Sequence, residues 1–129
     1  MSANVYYNPE KFGLTILHNI DHSDCYEFNT LLIFQHEDGT LYYAQDSGCS
    51  CPLPFEDFNS ISDLTLITNE TFNSFKDTLK NHHGVDVAEF LEVSADIEKL
   101  LKKQQKLKII VFDSVNTDNL SEEFLKNLN

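Results

Sequence analysis

Tryptophan and arginine are missing from this 129-residue sequence, and glycine (four), proline (three), cysteine (three) and methionine (one) are scarce. Most of these shortages close off a class of function. The glycines, Gly13, Gly39, Gly48 and Gly84, are too dispersed for a phosphate-cradling loop, and no strand-turn-helix nucleophile motif such as G-x-S-x-G occurs. The expectation is a protein without enzymatic activity. Three cysteines are an odd number and too few for a secreted disulfide scaffold, so free thiols or a metal site fit better, in a thiol-reducing compartment such as the cytoplasm. No apolar run approaches the ~20 residues that span a bilayer. The segment Met1–Tyr7 has neither the cationic region nor the apolar core of a signal peptide.

Positive charge is scarcest in the first half. Met1 to Leu66 holds ten acids and one lysine, Lys11, for −9; the remainder holds eleven acids and eight lysines, for −3. The total of −12 repels nucleic acid and lipid headgroups and attracts basic protein surfaces. The expected partner is therefore a protein with a basic surface, with no direct nucleic-acid or membrane binding; the oligomeric state stays open.

What is present is core material. Hydrophobic residues make up 41% and aromatics 12%, with ten Phe and five Tyr, enough for one domain of this length to fold without staples or metal. Residues 1–129 read as a single domain, 1–67 supplying a sheet and a cysteine loop and 68–129 mainly helices. Phe12 to Leu17 suits a first strand. Two alternating runs, Tyr26 to His36 and Thr40 to Gln45, flank an Asp38-Gly39 turn and spell a β-hairpin. Asp46 to Pro54 is dense in turn formers and reads as an ordered loop pinned by Phe55 and Phe58, with Cys49 or Cys51 mostly buried. Asn69 with Phe72, Phe75 and Leu79 predicts a capped helix closed by Gly84, with His82 and His83 as a solvated cap at its negative end. Asp86 and Glu89 resemble a capping box opening a second helix with Phe90, Val93, Ile97, Leu100 and Leu101 on its apolar face, fraying through Lys102–Lys106. Leu107 to Phe112 reads as a further strand, and Leu120 to Leu128 as a short terminal helix. The order predicts an α+β fold: an antiparallel meander of three to four strands covered on one face by two or three helices.

One constellation invites metal chemistry. His22-x-x-Cys25 and Cys49-x-Cys51 lie at opposite ends of the hairpin, and zinc accepts three thiolates and an imidazole tetrahedrally. The register decides whether they meet. A two-residue turn pairing Glu37 with Thr40 sets Cys25 opposite Pro52; a three-residue turn pairing His36 with Thr40, with Gly39 left-handed, sets it opposite Cys51. Against the metal stand the weakness of C-x-C as a zinc signature and the ordinary role of free cysteine as a small hydrophobe. A redox role lacks the positive charge that makes a thiolate.

The segments Tyr6-Tyr-Asn-Pro-Glu-Lys-Phe-Gly-Leu14 and Asp46-Ser-Gly-Cys-Ser-Cys-Pro-Leu-Pro-Phe-Glu-Asp57 resemble a family of small, functionally uncharacterised proteins of bacteriophages and actinobacteria. The resemblance runs from Tyr6 to about Ile67. It implies no activity, cofactor or catalytic residue, and no counterpart of His22-x-x-Cys25. It does imply a phage-type acidic protein that binds and inhibits a host protein, such as a nuclease or another defence component, in the host cytoplasm. The carboxylates best placed for such binding are Glu37, Asp38, Asp46, Glu56 and Asp57, at the turn and loop.

Overall fold

A computed structural model describes residues 3–23, 26–49, 53–82 and 84–115, with side chains as far as 105. Its centre is a four-stranded antiparallel meander, ordered β1 (Leu14–Asp21), β2 (Glu27–His36), β3 (Leu41–Cys49) and β4 (Thr65–Ile67). Two helices, α1 (Phe72–Asn81) and α2 (Val87–Val115), follow the sheet and complete an α+β fold. Contacts group the chain into two units, one ending at Ala95 and one beginning at Asp96.

The hairpin turn takes the longer of its two possible forms. The His36 N–H donates to the Thr40 carbonyl at 2.8 Å and the Gly39 N–H to the His36 carbonyl at 2.8 Å, leaving Glu37, Asp38 and Gly39 in the loop. Gly39 has φ 94°, where a side chain would be strained. Asp38 tightens the turn by accepting from the Thr40 N–H at 2.9 Å. This register carries through to Glu27 opposite Cys49. β1 pairs with β2 across a shift between Ile16 and His18, a bulge that re-aims the strand's second half.

β2 is buried on both sides, since Leu31, Leu32, Ile33 and Phe34 are all fully covered. Leu32 and Phe34 share a cluster with Leu14 of β1, Ala44 of β3, Val5 of the N-terminal segment, and Phe55 and Leu64 of the loop after β3. The opposite face carries Ile33 and its cross-strand neighbour Tyr43. There α1 packs, the Phe75 ring lying 5.3 Å from that of Tyr43.

Four expectations change. β1 starts at Leu14, because Pro9–Phe12 forms a 3-10 turn ended by left-handed Gly13. α1 starts at Phe72, with Thr71 rather than Asn69 at its entry; the Thr68 N–H donates to the Thr71 hydroxyl at 2.8 Å, and that hydroxyl donates to the Leu66 carbonyl at 3.1 Å. β3 runs through Asp46 to Cys49, so the loop begins later than its turn formers suggest; of the two cysteines, either of which was expected to pack, Cys49 is exposed and Cys51 lies outside the described residues. Finally, Lys102–Lys106 does not fray and Leu107–Phe112 is no strand: α2 continues to Val115. Lysine and glutamine are good helix formers, so this stretch propagates the helix instead of ending it. The helix expected over Leu120–Leu128 lies outside the described residues, as do Cys25, Cys51, Pro52 and His83. Among the described residues no helix is long and apolar enough to cross a membrane.

Candidate functional site

The five expected partner-binding carboxylates separate into two kinds. Glu37, Glu56 and Asp57 are exposed. Asp46, half-buried, is engaged internally: its Oδ2 accepts the Phe55 N–H at 2.8 Å and its Oδ1 the Ser47 N–H at 3.0 Å. Asp38, though exposed, is tied into the hairpin, where the donated Thr40 N–H and then His36, 3.1 Å away, hold its carboxyl below the usual range.

Asp46 is half of a clamp on Phe55. The Phe55 ring is buried, yet its backbone sits at φ 59°, the left-handed region. Its N–H goes to Asp46 and its carbonyl accepts from Asn4 Nδ2, itself buried. A row of aromatic contacts runs from this ring to the surface, Tyr6 at 5.2 Å and then Tyr7 at 4.8 Å. The clamp turns Glu56 and Asp57 outward. Asp46→Ala should therefore destabilise the fold by about 1–3 kcal/mol in urea denaturation, by orphaning a buried N–H, while Asp57→Ala stays within about 0.5 kcal/mol.

At the open end of the hairpin the structure gathers polar groups that the sequence left apart. His82 is not a solvated cap; it is buried at 2% exposure, on the helix-covered side of the sheet. Its Nδ1 meets Gln45 Nε2 at 2.7 Å, and its ring lies 6.0 Å from that of His22. His22 Nε2 meets Glu89 Oε1 at 3.2 Å, so β3, α1, the end of β1 and the first turn of α2 are joined by four side chains. Asp86 accepts the Glu89 N–H at 2.8 Å as the capping box requires, but the Glu89 carboxylate goes to His22 instead of completing the box. His82 Nε2 has no partner at good hydrogen-bonding geometry, although the Ile20 and Asn29 carbonyls lie near enough to the ring to favour its charged form. Only Gly84 and the Asp86–Glu89 pattern signalled this corner in the sequence, and neither shows that His82 turns inward.

Burial, then the neighbouring His22, lower the His82 pKa; the carbonyls of Ile20 and Asn29 and the Glu89 carboxylate oppose the shift. The sign follows from linkage. Below the ordinary imidazole value of about 6.5 the unfolded chain takes up a proton that folded His82 refuses, so stability is lost as pH falls from there toward the folded value. Denaturation midpoints should decline between pH 7 and 5, and His82→Gln should flatten that decline.

His22 also borders an open groove of about 550 Å³ lined with Glu27, Phe28, Asn29, Ser47, Gly48 and Cys49. His22 and Cys49, two of the four expected zinc ligands, thus share one groove, while Cys25 and Cys51 lie outside the described residues. Among the described residues no group of three histidine, cysteine or carboxylate side chains is placed to hold a metal ion.

No curated protein and no solved structure matches this chain. The motif resemblance ends near Ile67, but a family match runs on through α1 and into α2. Covering residues 3–107, it shows that the chain belongs to the family described as a domain of unknown function, DUF7574.

Proposed function

We propose that this is a non-enzymatic acidic binding protein of phage type, which captures a basic surface of a host protein and inhibits it. The observation that carries the reading is the −9 of residues 1–66, much of it on exposed turns and loops where Glu37, Glu56 and Asp57 reach solvent, Glu56 while accepting the local Leu53 N–H at 3.3 Å. Carboxylates presented this way can lie where DNA phosphates would, which makes a nuclease or another defence component a fitting target. The site of action is then the host cytoplasm.

Capture from host lysate followed by mass spectrometry identifies the partner. With it in hand, Glu37→Lys/Asp57→Lys should slow association by roughly tenfold or more, the lower end of what steering supplies, and flatten its salt dependence. Asp77→Lys/Glu92→Lys should change both far less. Equal effects from the two pairs would show that net charge alone matters and that this face is wrong.

The second reading is a small zinc-binding or metabolic protein using Cys25, Cys49 and Cys51 with His22, and the groove shared by His22 and Cys49 favours it. Stoichiometric zinc in the purified protein, lost on Cys49→Ser, would support it; a metal-free, fully folded protein would remove it.

A further inference from the structure

Beside the Phe55 clamp, two large apolar side chains are left in solvent next to one carboxylate. Tyr7 is 49% and Leu53 61% exposed. Glu56 neighbours both. Its Oε2 accepts the Leu53 N–H at 3.3 Å, and its own N–H donates to the Leu53 carbonyl at 3.2 Å. Its charge also reaches the Tyr7 phenol, whose pKa is raised by burial first and then by Tyr6 and Glu56, which keeps the phenol neutral at physiological pH.

One buried side chain holds this arrangement. Asn4, itself buried, donates through Nδ2 to the Phe55 carbonyl, while its Oδ1 accepts the Tyr6 N–H at 2.8 Å and the Tyr7 N–H at 3.2 Å. The peptide leading into Glu56 and the peptide leading into Tyr7 are therefore fixed by the same amide. The Tyr7 ring is propped 4.8 Å from that of Tyr6, which rests 5.2 Å from the ring of Phe55. Packing accounts for burying Phe55. It gives no reason to hold an exposed ring and an exposed carboxylate in fixed relation.

An apolar surface beside a held carboxylate suits a side chain with an aliphatic stem and a cationic head. Of the two such side chains, arginine fits better. Its planar guanidinium stacks on an aromatic face and offers a fork to a carboxylate, whereas the lysine ammonium is compact and strongly hydrated. We propose that Tyr7, Leu53 and Glu56 form the seat for one arginine of a basic partner protein, the guanidinium stacked on the Tyr7 ring and paired with Glu56, the stem against Leu53. This names the group that the acidic capture surface recognises, and so it rests on that reading.

Calorimetric titration of the full chain at low salt with blocked tetra-arginine and tetra-lysine peptides tests the seat. The two probes carry equal charge, so net charge does not tell them apart. The arginine peptide should bind about fivefold more tightly. Tyr7→Ala should bring that ratio close to one, and Tyr7→Phe should keep it. Tyr26→Ala, which removes a ring 80% exposed ahead of β2, should keep it too. Glu56→Gln, which preserves the size of the side chain, should weaken the arginine peptide about fivefold and more than Glu92→Gln does. Equal affinity for the two peptides, a preference that survives Tyr7→Ala, or equal losses from the two glutamine variants overturns the seat and leaves the acidic capture reading standing, because both peptides still bind. Binding of neither peptide overturns both.

Discussion

Replacing Phe55 by alanine should remove about 3–5 kcal/mol of stability, the range for emptying a buried aromatic site, and replacing it by glycine should cost less. That order reverses the usual one. Alanine is ordinarily the better residue, because glycine loses more backbone freedom on folding. Here the backbone sits at φ 59°, where a Cβ costs about 1–2 kcal/mol that glycine avoids. Both variants forfeit the ring and its edge contacts with Tyr6 at 5.2 Å and Phe58 at 5.1 Å. The difference between them therefore isolates the backbone. Chemical denaturation of both should put Phe55→Gly about 1 kcal/mol above Phe55→Ala. If alanine is the more stable, the left-handed conformation is not held, and the clamp of Asp46 and Asn4 does not set the direction of Glu56 and Asp57.

That clamp marks how far the sequence could be read. Asp-Gly between alternating runs announced the hairpin because such turns are local; two registers stayed open, since the choice depends on whether His36 or Glu37 pairs with Thr40, a matter of one backbone hydrogen bond. Phe55 was legible as an anchor for the loop. Its left-handed backbone was not, because what holds it are Asn4, far away in sequence, and Asp46 at the end of the preceding strand. In the sequence, Asp46 therefore has the look of a surface charge. A carboxylate in a run of turn formers looks the same whether it faces water or caps a buried N–H.

The helical half failed in another way. Leu107–Phe112 has the β-branched run of a strand, but intrinsic preference is weak against a helix already propagating from Val87, which adds one hydrogen bond for each residue it fixes. A histidine before a terminating glycine suits solvent, so the sequence gives no sign that His82 turns inward; its partners Gln45 and His22 come from the sheet half of the chain. Sequence periodicity picks out the buried positions Phe75 and Leu79 of α1 and Val93, Ile97 and Leu101 of α2. It could not show which polar side chains the tertiary fold would turn inward at the element ends.

Gly84→Ala should be the most damaging single-methyl change at the histidine corner. A Cβ built there lies 2.6 Å from both Cγ and Nδ1 of the His22 ring, and the backbone is at φ +88°. The left-handed conformation costs about 1–2 kcal/mol for any side chain, and relieving such a contact adds about 1–3 kcal/mol of overpacking. His22 cannot yield freely, because Glu89 holds its Nε2 at 3.2 Å and its backbone N–H donates to the Asn29 carbonyl at 2.9 Å. The variant should lose stability by about 2–5 kcal/mol on these terms. His22→Ala alone gives up the Glu89 interaction and the ring's packing, but it also empties the space that the new methyl needs. The double variant should consequently be more stable than the sum of the single effects allows, by about the overpacking share, roughly 1–3 kcal/mol. Only the conformational cost of alanine at position 84 would then remain. Strict additivity across the four proteins would mean that the two residues do not press on each other, and that Gly84 serves the turn alone.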